Sequence, residues 1–427
     1  MRKCETVKEV NKVNLCMGCG TCVSLCPNSA IELTLNSSKG VYFPLINEEK
    51  CNYCGICFNV CPGNSVNFKK LNQTIFGQEP KNTSLGNYLN WYIGHTTDYK
   101  IRYNSASGGM VTALLIFAME EGIIDGALVT KMNEEKPLEP QPFIARNREE
   151  VISAAKSKYC PVPANIAIRQ ILENEGKYAI VGLPCHLHGI RKAEMLNKKL
   201  NERIILHLGL FCACTPSFLG TDFLLRKIGI KKEEVEKLDY RGEGYPGSMT
   251  VKLKNKQKKL IDYRDYYNYG FISFMYWRCT LCSDWSSELA DISFGDPLLP
   301  EVLRDDNVGS SIIVTRTRQG ENIIQQMVRK GKAELSTIDC DKVRKAQIDS
   351  WRNEDLRARL TIARLIGKKV PLYYNKIFSQ PTIFSYLSCA SIYLQRFLAS
   401  KRNLWGLLDI YCSLLSTSRS VWSKLRP

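Results

Sequence analysis

The chain has 427 residues, of which 59 are Lys or Arg and 42 are Asp or Glu, and it contains 18 cysteines. A chain of this length predicts about two to four domains with sizeable apolar cores. Its charged start, MRKCETVKEV, is unlike a secretory signal peptide, so we expect a cytoplasmic protein. In such a protein, eighteen cysteines indicate metal ligation rather than a disulfide framework.

The formal net charge of +17 is concentrated near the C-terminal end. From Lys342 onward there are 16 Lys and Arg residues but only 4 Asp and Glu residues, a surplus of 12 positive charges. Because the excess belongs to one segment, we expect no general nucleic-acid-binding surface.

Two cysteine runs share one pattern. CMGCGTCVSLCP at 16–27 recurs as CNYCGICFNVCP at 51–62, and both follow C-x2-C-x2-C-x3-C-P. This spacing is typical of bacterial ferredoxins, in which the fourth cysteine of each run serves the cluster of the other run. We therefore predict an α+β ferredoxin-like dicluster domain over residues 1–70. One 4Fe-4S cluster is expected on Cys16, Cys19, Cys22 and Cys61, and the other on Cys51, Cys54, Cys57 and Cys26.

The alternative for these cysteines is zinc. A zinc ribbon also uses CxxC pairs, but it needs only two of them, and they normally lie about a dozen or more residues apart. Eight cysteines in two tight runs favour iron-sulfur clusters.

An α/β body is predicted beyond the cysteine runs. Residues 69–88 are polar and lack periodicity, so we interpret them as a linker. Beyond them, apolar runs rich in β-branched residues alternate with helical stretches, which predicts α/β layers. The strand-like runs include NWYIGHT, IDGALVTKM, YAIVGLPC, RIILHLGLFC, ADISFGD and SSIIVTRT.

A serine- and glycine-rich turn opens an apolar helix in YNSASGGMVTALLIFAMEEG, at 103–122. Backbone N–H groups at such a helix N-terminus can bind a phosphate. A capped helix start explains the same residues, and the residues alone leave both interpretations open.

Further cysteines lie near predicted strand ends and predict a third 4Fe-4S cluster. The expected ligands are Cys185, Cys212, Cys279 and Cys282, with Cys214 as the alternative to Cys212. Free cysteines are common in protein cores, and that interpretation suits Cys340, Cys389 and Cys412. A free core cysteine is a poor explanation for the Cys279 and Cys282 pair, which lies beside the polar segment SDWSSELADISFGD.

Several motifs of the body occur together in one order. They are SASGGMVTALL with GIIDGALV, AKSKY, VGLPCHLHGI, LGLFC, YRGEGYPG, RCTLCSDWSSELADISFGDP and SIIVTRT, and they cover roughly residues 85–320. With these motifs the chain resembles the coenzyme F420 hydrogenase/dehydrogenase beta-subunit family, in the form with an N-terminal ferredoxin domain.

This resemblance implies an iron-sulfur flavoprotein that binds FAD and a further 4Fe-4S cluster in its α/β body. The FAD-binding region would span 85–165 and the region with the further cluster 170–345. The family moves electrons between its clusters and an organic two-electron carrier, often coenzyme F420. The implied FAD site includes the glycine turn and the KSKY segment, here Ser105, Ser107, Gly108, Gly109, Ser157, Lys158 and Tyr159.

Two residues are candidates for catalysis. His186, beside Cys185, is a candidate proton donor to the reduced flavin or the substrate. Asp296 ends a predicted strand, where α/β sites tend to form, although Asp before Pro is also a common turn element. Arg241 is either an anchor for an anionic substrate or a solvated loop charge.

Residues 346–427 lie outside the resemblance and predict a basic, aromatic, helical tail. Amphipathic helices of this composition either lie on an anionic membrane at the inner face or pack on the protein or on a partner subunit.

The function that we predict is an FAD- and 4Fe-4S-dependent oxidoreductase. Its partners would be ferredoxin or another electron-donor protein and a small-molecule acceptor, with coenzyme F420 the first candidate, and no nucleic acid. The alternatives are an electron-transfer subunit of a partner enzyme, a reductase of another small metabolite such as a sugar intermediate, and a zinc-stabilised interaction protein.

Overall fold

The computed structural model describes residues 4–80, 84–268, 270–347, 355–374, 376 and 378–425, and the side chains at 264, 267, 268 and 416–425 lie outside this description.

The N-terminal domain contains the two cysteine runs. Its elements are α1 (Val7–Lys12), α2 (Thr21–Ser24), β1 (Ile31–Asn36), β2 (Val41–Ile46), α3 (Ile56–Asn59), β3 (Ser65–Asn67) and α4 (Phe68–Phe76). In each run, a left-handed glycine turns the chain into a one-turn helix that carries the third cysteine: Gly20 (φ 90°) precedes α2, and Gly55 (φ 76°) precedes α3. Strands β1 and β2 pair as an antiparallel hairpin.

The predicted linker begins instead with a helix. Residues Phe68–Phe76 form α4, and Phe68 and Leu71 are buried. The polar composition of this segment concealed the helix, because only one narrow face of α4 carries apolar residues.

The body contains eleven strands among the described residues. They are β4 (Asn90–Thr96), β5 (Gly126–Met132), β6 (Pro140–Ala145), β7 (Tyr178–Gly182), β8 (Ile204–Leu210), β9 (Val235–Asp239), β10 (Ser248–Leu253), β11 (Lys258–Asp262), β12 (Ile292–Gly295), β13 (Ser311–Thr315) and β14 (Ala333–Thr337). Eight of them form one mixed sheet in the order β14-β4-β13-β12-β8-β7-β5-β6, whose central strands β12, β8, β7 and β5 are parallel. Strands β9–β11 form a separate antiparallel sheet.

Helices cover both faces of the large sheet. The helices of the body are α5 (Tyr99–Tyr103), α6 (Met110–Glu120), α7 (Arg148–Ser153), α8 (Ile168–Glu173), α9 (Pro184–Glu194), α10 (Lys198–Arg203), α11 (Phe218–Lys227), α12 (Tyr263–Asn268), α13 (Trp277–Thr280), α14 (Pro300–Asp305), α15 (Arg318–Arg329) and α16 (Cys340–Ala346). Helices α6 and α15 pack on one face, and α8, α9 and α10 pack on the other. Because both faces are buried, the parallel strands are continuous apolar runs.

The described part of the C-terminal segment contains three α-helices and one strand. Its elements are α17 (Leu356–Leu365), β15 (Leu372–Tyr374), α18 (Ile383–Ala399) and α19 (Trp405–Leu425). Helix α17 packs into the core of the dicluster domain, where β15 pairs in parallel with β3. Helices α18 and α19 pack on the core beside the β9–β11 sheet. Among the described residues, no helix combines the length and the apolar character that crossing a bilayer demands.

Candidate functional site

Four cysteines of the dicluster domain surround one cavity. Cys16, Cys19 and Cys22 come from the first run, and Cys61 comes from the end of the second run. The backbone N–H of Gly18 lies 3.3 Å from the Cys16 Sγ, as expected of a loop that wraps a sulfur cage. The fold therefore brings together the four residues that the spacing assigned to one cluster.

Without a bound cation, the first-run thiols around this cavity resist deprotonation, because they are largely buried and close to one another. Burial, followed by the charges of the neighbouring Cys19 and Cys16 thiols, raises the pKa of Cys22 well above its ordinary value. Cubane clusters supply iron charge that holds such thiolates. Within the described parts of the chain, no three His, Cys, Asp or Glu side chains converge closely enough for a single metal ion. The four thiols instead enclose a space, and their donor chemistry suits a cluster.

The second group of four lies nearer the surface. Burial raises the pKa of Cys57, and the charges of Cys54 and Cys26 add to the shift, so the fourth cysteine of the first run lies beside the second run. Cys51 is half-buried and Cys54 is exposed. This group therefore lies close to solvent, whereas Cys22 in the first group is buried.

The third group forms where the body meets the dicluster domain. Cys185 opens α9, Cys212 follows β8, and Cys279 and Cys282 lie on and after α13. Burial raises the pKa of Cys185 well above its ordinary value, and Cys212, Cys19, Cys279 and Cys282 follow as causes in that order. The four predicted ligands are thus neighbours, and Cys19 links them to the first group.

The alternative ligand Cys214 lies close to the same group. It packs against the cluster of Met275, Tyr276 and Cys279, but it is absent from the thiols that act most strongly on Cys185. The contacts of Cys185 therefore favour Cys212.

A cavity of about 380 Å³ lies at the carboxyl ends of β5, β7, β8 and β12, the edge at which α/β folds bind ligands. That volume falls within the range of roughly 300–1,000 Å³ typical of small-molecule sites. The residues predicted from the sequence that line it are Ser105, Ser107, Gly109, Ser157, Lys158, Tyr159, His186, Cys212, its alternative Cys214, and Asp296. Gly108 lies just behind the lining, because its N–H donates to the Ser311 Oγ over 2.9 Å.

The glycine turn presents the start of α6 to this cavity. Gly109 is left-handed (φ 73°) and provides no side-chain cap, and Met110, Val111 and Thr112 at the first turn line the cavity. Without a cap, the first N–H groups of the helix need a ligand or water as acceptor. The Ser105 hydroxyl already donates to the Ile101 carbonyl over 2.6 Å. The donor chemistry therefore suits a phosphate, with α6 rather than the serine hydroxyl as its principal donor.

Lys158 also lines the cavity. Its Nζ donates to the carbonyls of Ala154, Ala155 and Lys156 at 2.5–2.9 Å. Burial lowers the pKa of Lys158 to about 7. The amino group is thus held by backbone carbonyls at and just beyond the C-terminal end of α7.

Arg241 and Asp296 form an ion pair beside the cavity. The Arg241 Nη1 lies 2.9 Å from the Asp296 Oδ2 and 3.0 Å from the Tyr159 hydroxyl. Arg241 is 1% exposed and stacks 4.2 Å from the centre of the Tyr263 ring, so it is not a solvated loop charge. The pair braces two loops of the cavity wall.

His186 lines the cavity, but both of its ring nitrogens are hydrogen-bonded to backbone groups, which fixes the orientation of the ring. Its Nδ1 accepts from the Leu183 N–H over 3.2 Å, and its Nε2 donates to the Val162 carbonyl over 3.0 Å. Burial lowers its pKa to about 4, so the ring is neutral near pH 7. This geometry favours a positioning role for His186 over the proton donor predicted from the sequence.

Two cations between the domains, the half-buried Lys192 and the buried Arg278, were missed from the sequence. The Lys192 Nζ donates to the Cys61 and Ser65 carbonyls at 2.7–2.8 Å. Arg278 donates to the Pro62 and Gly63 carbonyls at 3.2–3.3 Å. In the sequence, only the position of Arg278 directly before Cys279 indicated that it lies near a cluster site. No neighbouring residue of Lys192 indicated a contact with the cysteine runs.

Comparisons with known families cover most of the chain. The model described as "Coenzyme F420 hydrogenase/dehydrogenase, beta subunit N-term" matches residues 91–169, and the corresponding C-terminus model matches residues 175–341. A 4Fe-4S dicluster domain model matches residues 15–65.

Relatives agree with this assignment. The coenzyme F420 hydrogenase subunit beta of Methanothermobacter thermautotrophicus is 31% identical over 265 residues, which cover 60% of this chain and 86% of the relative. The coenzyme F420-dependent sulfite reductase of Methanocaldococcus jannaschii is 28% identical over 83% of this chain and 52% of the relative.

A solved structure shows the same fold. One chain of the F420-reducing NiFe hydrogenase complex from Methanosarcina barkeri, from a xenon derivatization study, superposes with a TM-score of 0.55 at 24% identity. The match covers 69% of this chain and 99% of that chain. The chain described here therefore belongs to the coenzyme F420 hydrogenase/dehydrogenase beta-subunit family and carries a 4Fe-4S dicluster domain.

Proposed function

We propose that the chain is an oxidoreductase that passes electrons between a one-electron donor protein and a two-electron carrier, through three 4Fe-4S clusters and FAD. The observation that carries the proposal is a continuous series of neighbouring thiols from the surface to the 380 Å³ cavity. Coenzyme F420 is the proposed carrier.

The series of thiols supports the proposed route. Cys54 of the second group is exposed, and Cys57 of that group acts on Cys22 of the first. Cys19 of the first group acts on Cys185 of the third. Cys212, assigned to the third group, also lines the cavity. Each predicted cluster thus has the next one as its neighbour, and the last lies against the proposed flavin site.

The cavity supports FAD as the end of this route. The start of α6 would hold the phosphates, and the KSKY segment with Tyr159 would line the same pocket. Bound FAD would supply the exchange between one-electron and two-electron chemistry. Arg241 and Asp296 would keep the wall next to Tyr159 in place, because their ion pair joins the loops that follow β9 and β12.

The relatives support coenzyme F420 as the carrier. Both curated relatives described above carry coenzyme F420 in their names, one as a hydrogenase subunit and one as a sulfite reductase. The word subunit in the first name makes a partner enzyme a second candidate for the electron acceptor.

The test is purification of the full chain without oxygen, followed by cofactor analysis and an assay. We expect roughly 12 iron atoms, the content of three cubanes, and one FAD per chain. Reduced ferredoxin should then drive reduction of coenzyme F420 by this chain alone. Zinc in place of iron contradicts the clusters, and a full iron content without flavin contradicts the FAD site. A flavin that bleaches without any reduction of F420 favours the partner-enzyme alternative.

A further inference from the structure

Helices α18 and α19 form an amphipathic hairpin. Their inner faces pack on the core beside the β9–β11 sheet through residues such as Leu398, Trp405 and Leu408. The Ser391 and Tyr411 hydroxyls bond across the hairpin at 2.9 Å. The two helices therefore lie side by side on the body, with their outer faces directed away from it.

The outer face of α18 is a continuous apolar stripe. It is formed by Ile383, Phe384, Leu387, Leu394 and Phe397, whose side chains are 44–73% exposed. At 100° per residue these five positions fall on one side of the helix. Scattered exposed leucines are normal in a folded protein, but a stripe of this length is an interaction surface.

The outer face of α19 extends the same surface. Leu407, Ile410 and Leu414, spaced by three and four residues, are 55–65% exposed. Leu408 and Cys412, on the other side of the helix, are buried. The exposed stripes of the two helices thus form one apolar patch, defined by the residues of α18 and α19 named above.

The C-terminal segment is strongly positively charged. Residues 356–427 contain 12 Lys and Arg residues and a single acidic residue, Asp409. Asp409 is held by Lys227, whose Nζ lies 2.6 Å from its carboxylate. Lys401 is exposed at the turn between the helices, and Lys368 and Lys369 are exposed after α17. Arg402, next to Lys401, is exposed but paired with Asp222 over 2.7 Å. Exposed cations on the same segment as an apolar patch are complementary to anionic lipid headgroups.

We propose that this hairpin docks the protein on the surface of an anionic lipid bilayer. Most of the apolar side chains are more than half exposed and protrude from the surface. A protein partner would need a pocket for each of them, whereas the headgroup boundary of a bilayer adapts to protruding side chains. The hairpin would lie in the plane of the interface, with its apolar patch in the acyl boundary and its cations among the headgroups.

The test is cosedimentation of the anaerobically purified full chain with vesicles. One vesicle type contains phosphatidylcholine with phosphatidylglycerol, and the other contains phosphatidylcholine alone. We expect binding to the anionic vesicles, weaker binding at high salt, and at least tenfold weaker partitioning for Leu387→Asp and Ile410→Asp. Leu260→Asp is the matched control, since Leu260 is a similarly exposed leucine (54%) on β11 and belongs to neither helix of the patch. Iron content equal to that of the wild type shows that each variant is folded.

Three results overturn the proposal. The first is a wild-type chain that stays in the supernatant with anionic vesicles. The second is a Leu260→Asp variant that loses as much binding as Leu387→Asp. The third is a wild-type chain that is dimeric without lipid and becomes monomeric on Leu387→Asp, because a second copy would then be the occupant of the patch.

Discussion

The C-terminal segment is fastened to the body by a buried ion pair whose removal has a distinctive pH dependence. The Lys376 Nζ lies 2.8 Å from the Glu288 Oε1, and the two side chains are 3% and 0% exposed. The same ammonium lies 4.5 Å from the centre of the Phe68 ring in the dicluster domain. Lys376 therefore joins three parts of the molecule, and Lys376→Met removes the charge while keeping much of the volume.

The direction in which pH changes the stability cost of Lys376→Met follows from the protonation of Glu288. Burial raises the pKa of this carboxyl from 4.5 to about 7, against the lowering effect of Lys376. Folding thus favours the protonated carboxyl, and stability is lost as pH rises from about 4.5 to about 7 and then levels off. Without Lys376 the folded-state pKa moves higher, so the loss continues above pH 7 at about 1.4 kcal/mol per pH unit.

The change in the free energy of unfolding caused by Lys376→Met can be measured by urea unfolding without oxygen. Lys376→Met should cost close to nothing at about pH 6 and about 2 kcal/mol at about pH 8.5, which is 1.5 pH units above the pKa. The double variant Glu288→Gln with Lys376→Met should show no extra loss between these pH values, and Lys369→Met, at an exposed lysine, is the matched control. An equal loss at both pH values in Lys376→Met would refute the argument, because packing rather than charge would then explain it.

Three further substitutions test the candidate sites. Cys279→Ser should lower the iron content by about one third, a loss of one cubane out of three, and unchanged iron would remove the third cluster. Gly109→Val should lower the FAD content severalfold, because its φ of 73° disfavours a branched side chain. Gly122→Val, also left-handed at φ 66° but with no atoms near an added Cβ, should retain FAD, and equal losses in both would refute the phosphate role of the turn. Asp296→Asn should destabilise the chain by about 1.5–3 kcal/mol, because it leaves the buried Arg241 without its carboxylate partner, and an unchanged urea midpoint would contradict it.

The spacing of residues close together in the sequence was sufficient to predict the dicluster domain and the α/β body. The two cysteine runs predicted a dicluster domain, because a ferredoxin loop places its ligands within a few residues of one another. The strand-like runs predicted the α/β body, since parallel strands buried on both faces are continuous apolar segments. Cys185, Cys212 and Cys279 were predicted to meet because each lies near the end of a strand or on a CxxC pair.

Long-range contacts could not be predicted in the same way. The pairing of β15 with β3 joins residues about three hundred positions apart, and a three-residue strand has no recognisable period. The insertion of Lys376 beside Glu288 is likewise invisible in the sequence, where a lysine in a basic segment indicates a solvated side chain. His186 was a candidate proton donor because it lies beside Cys185, whereas its bond to the Val162 carbonyl depends on a loop that the sequence does not place.

The central claim, that electrons reach FAD through the third thiol group, is tested most directly by flavin bleaching. Reduced ferredoxin is mixed without oxygen with the wild type, Cys185→Ser or Cys340→Ser, and the absorbance change is normalised to bound FAD. Cys185 is a proposed ligand outside the cavity lining, and Cys340 is a free cysteine on α16. The account predicts rapid bleaching in the wild type and Cys340→Ser but at least a hundredfold slower bleaching in Cys185→Ser, about 2.7 kcal/mol in the barrier. Equal rates in all three proteins would contradict it.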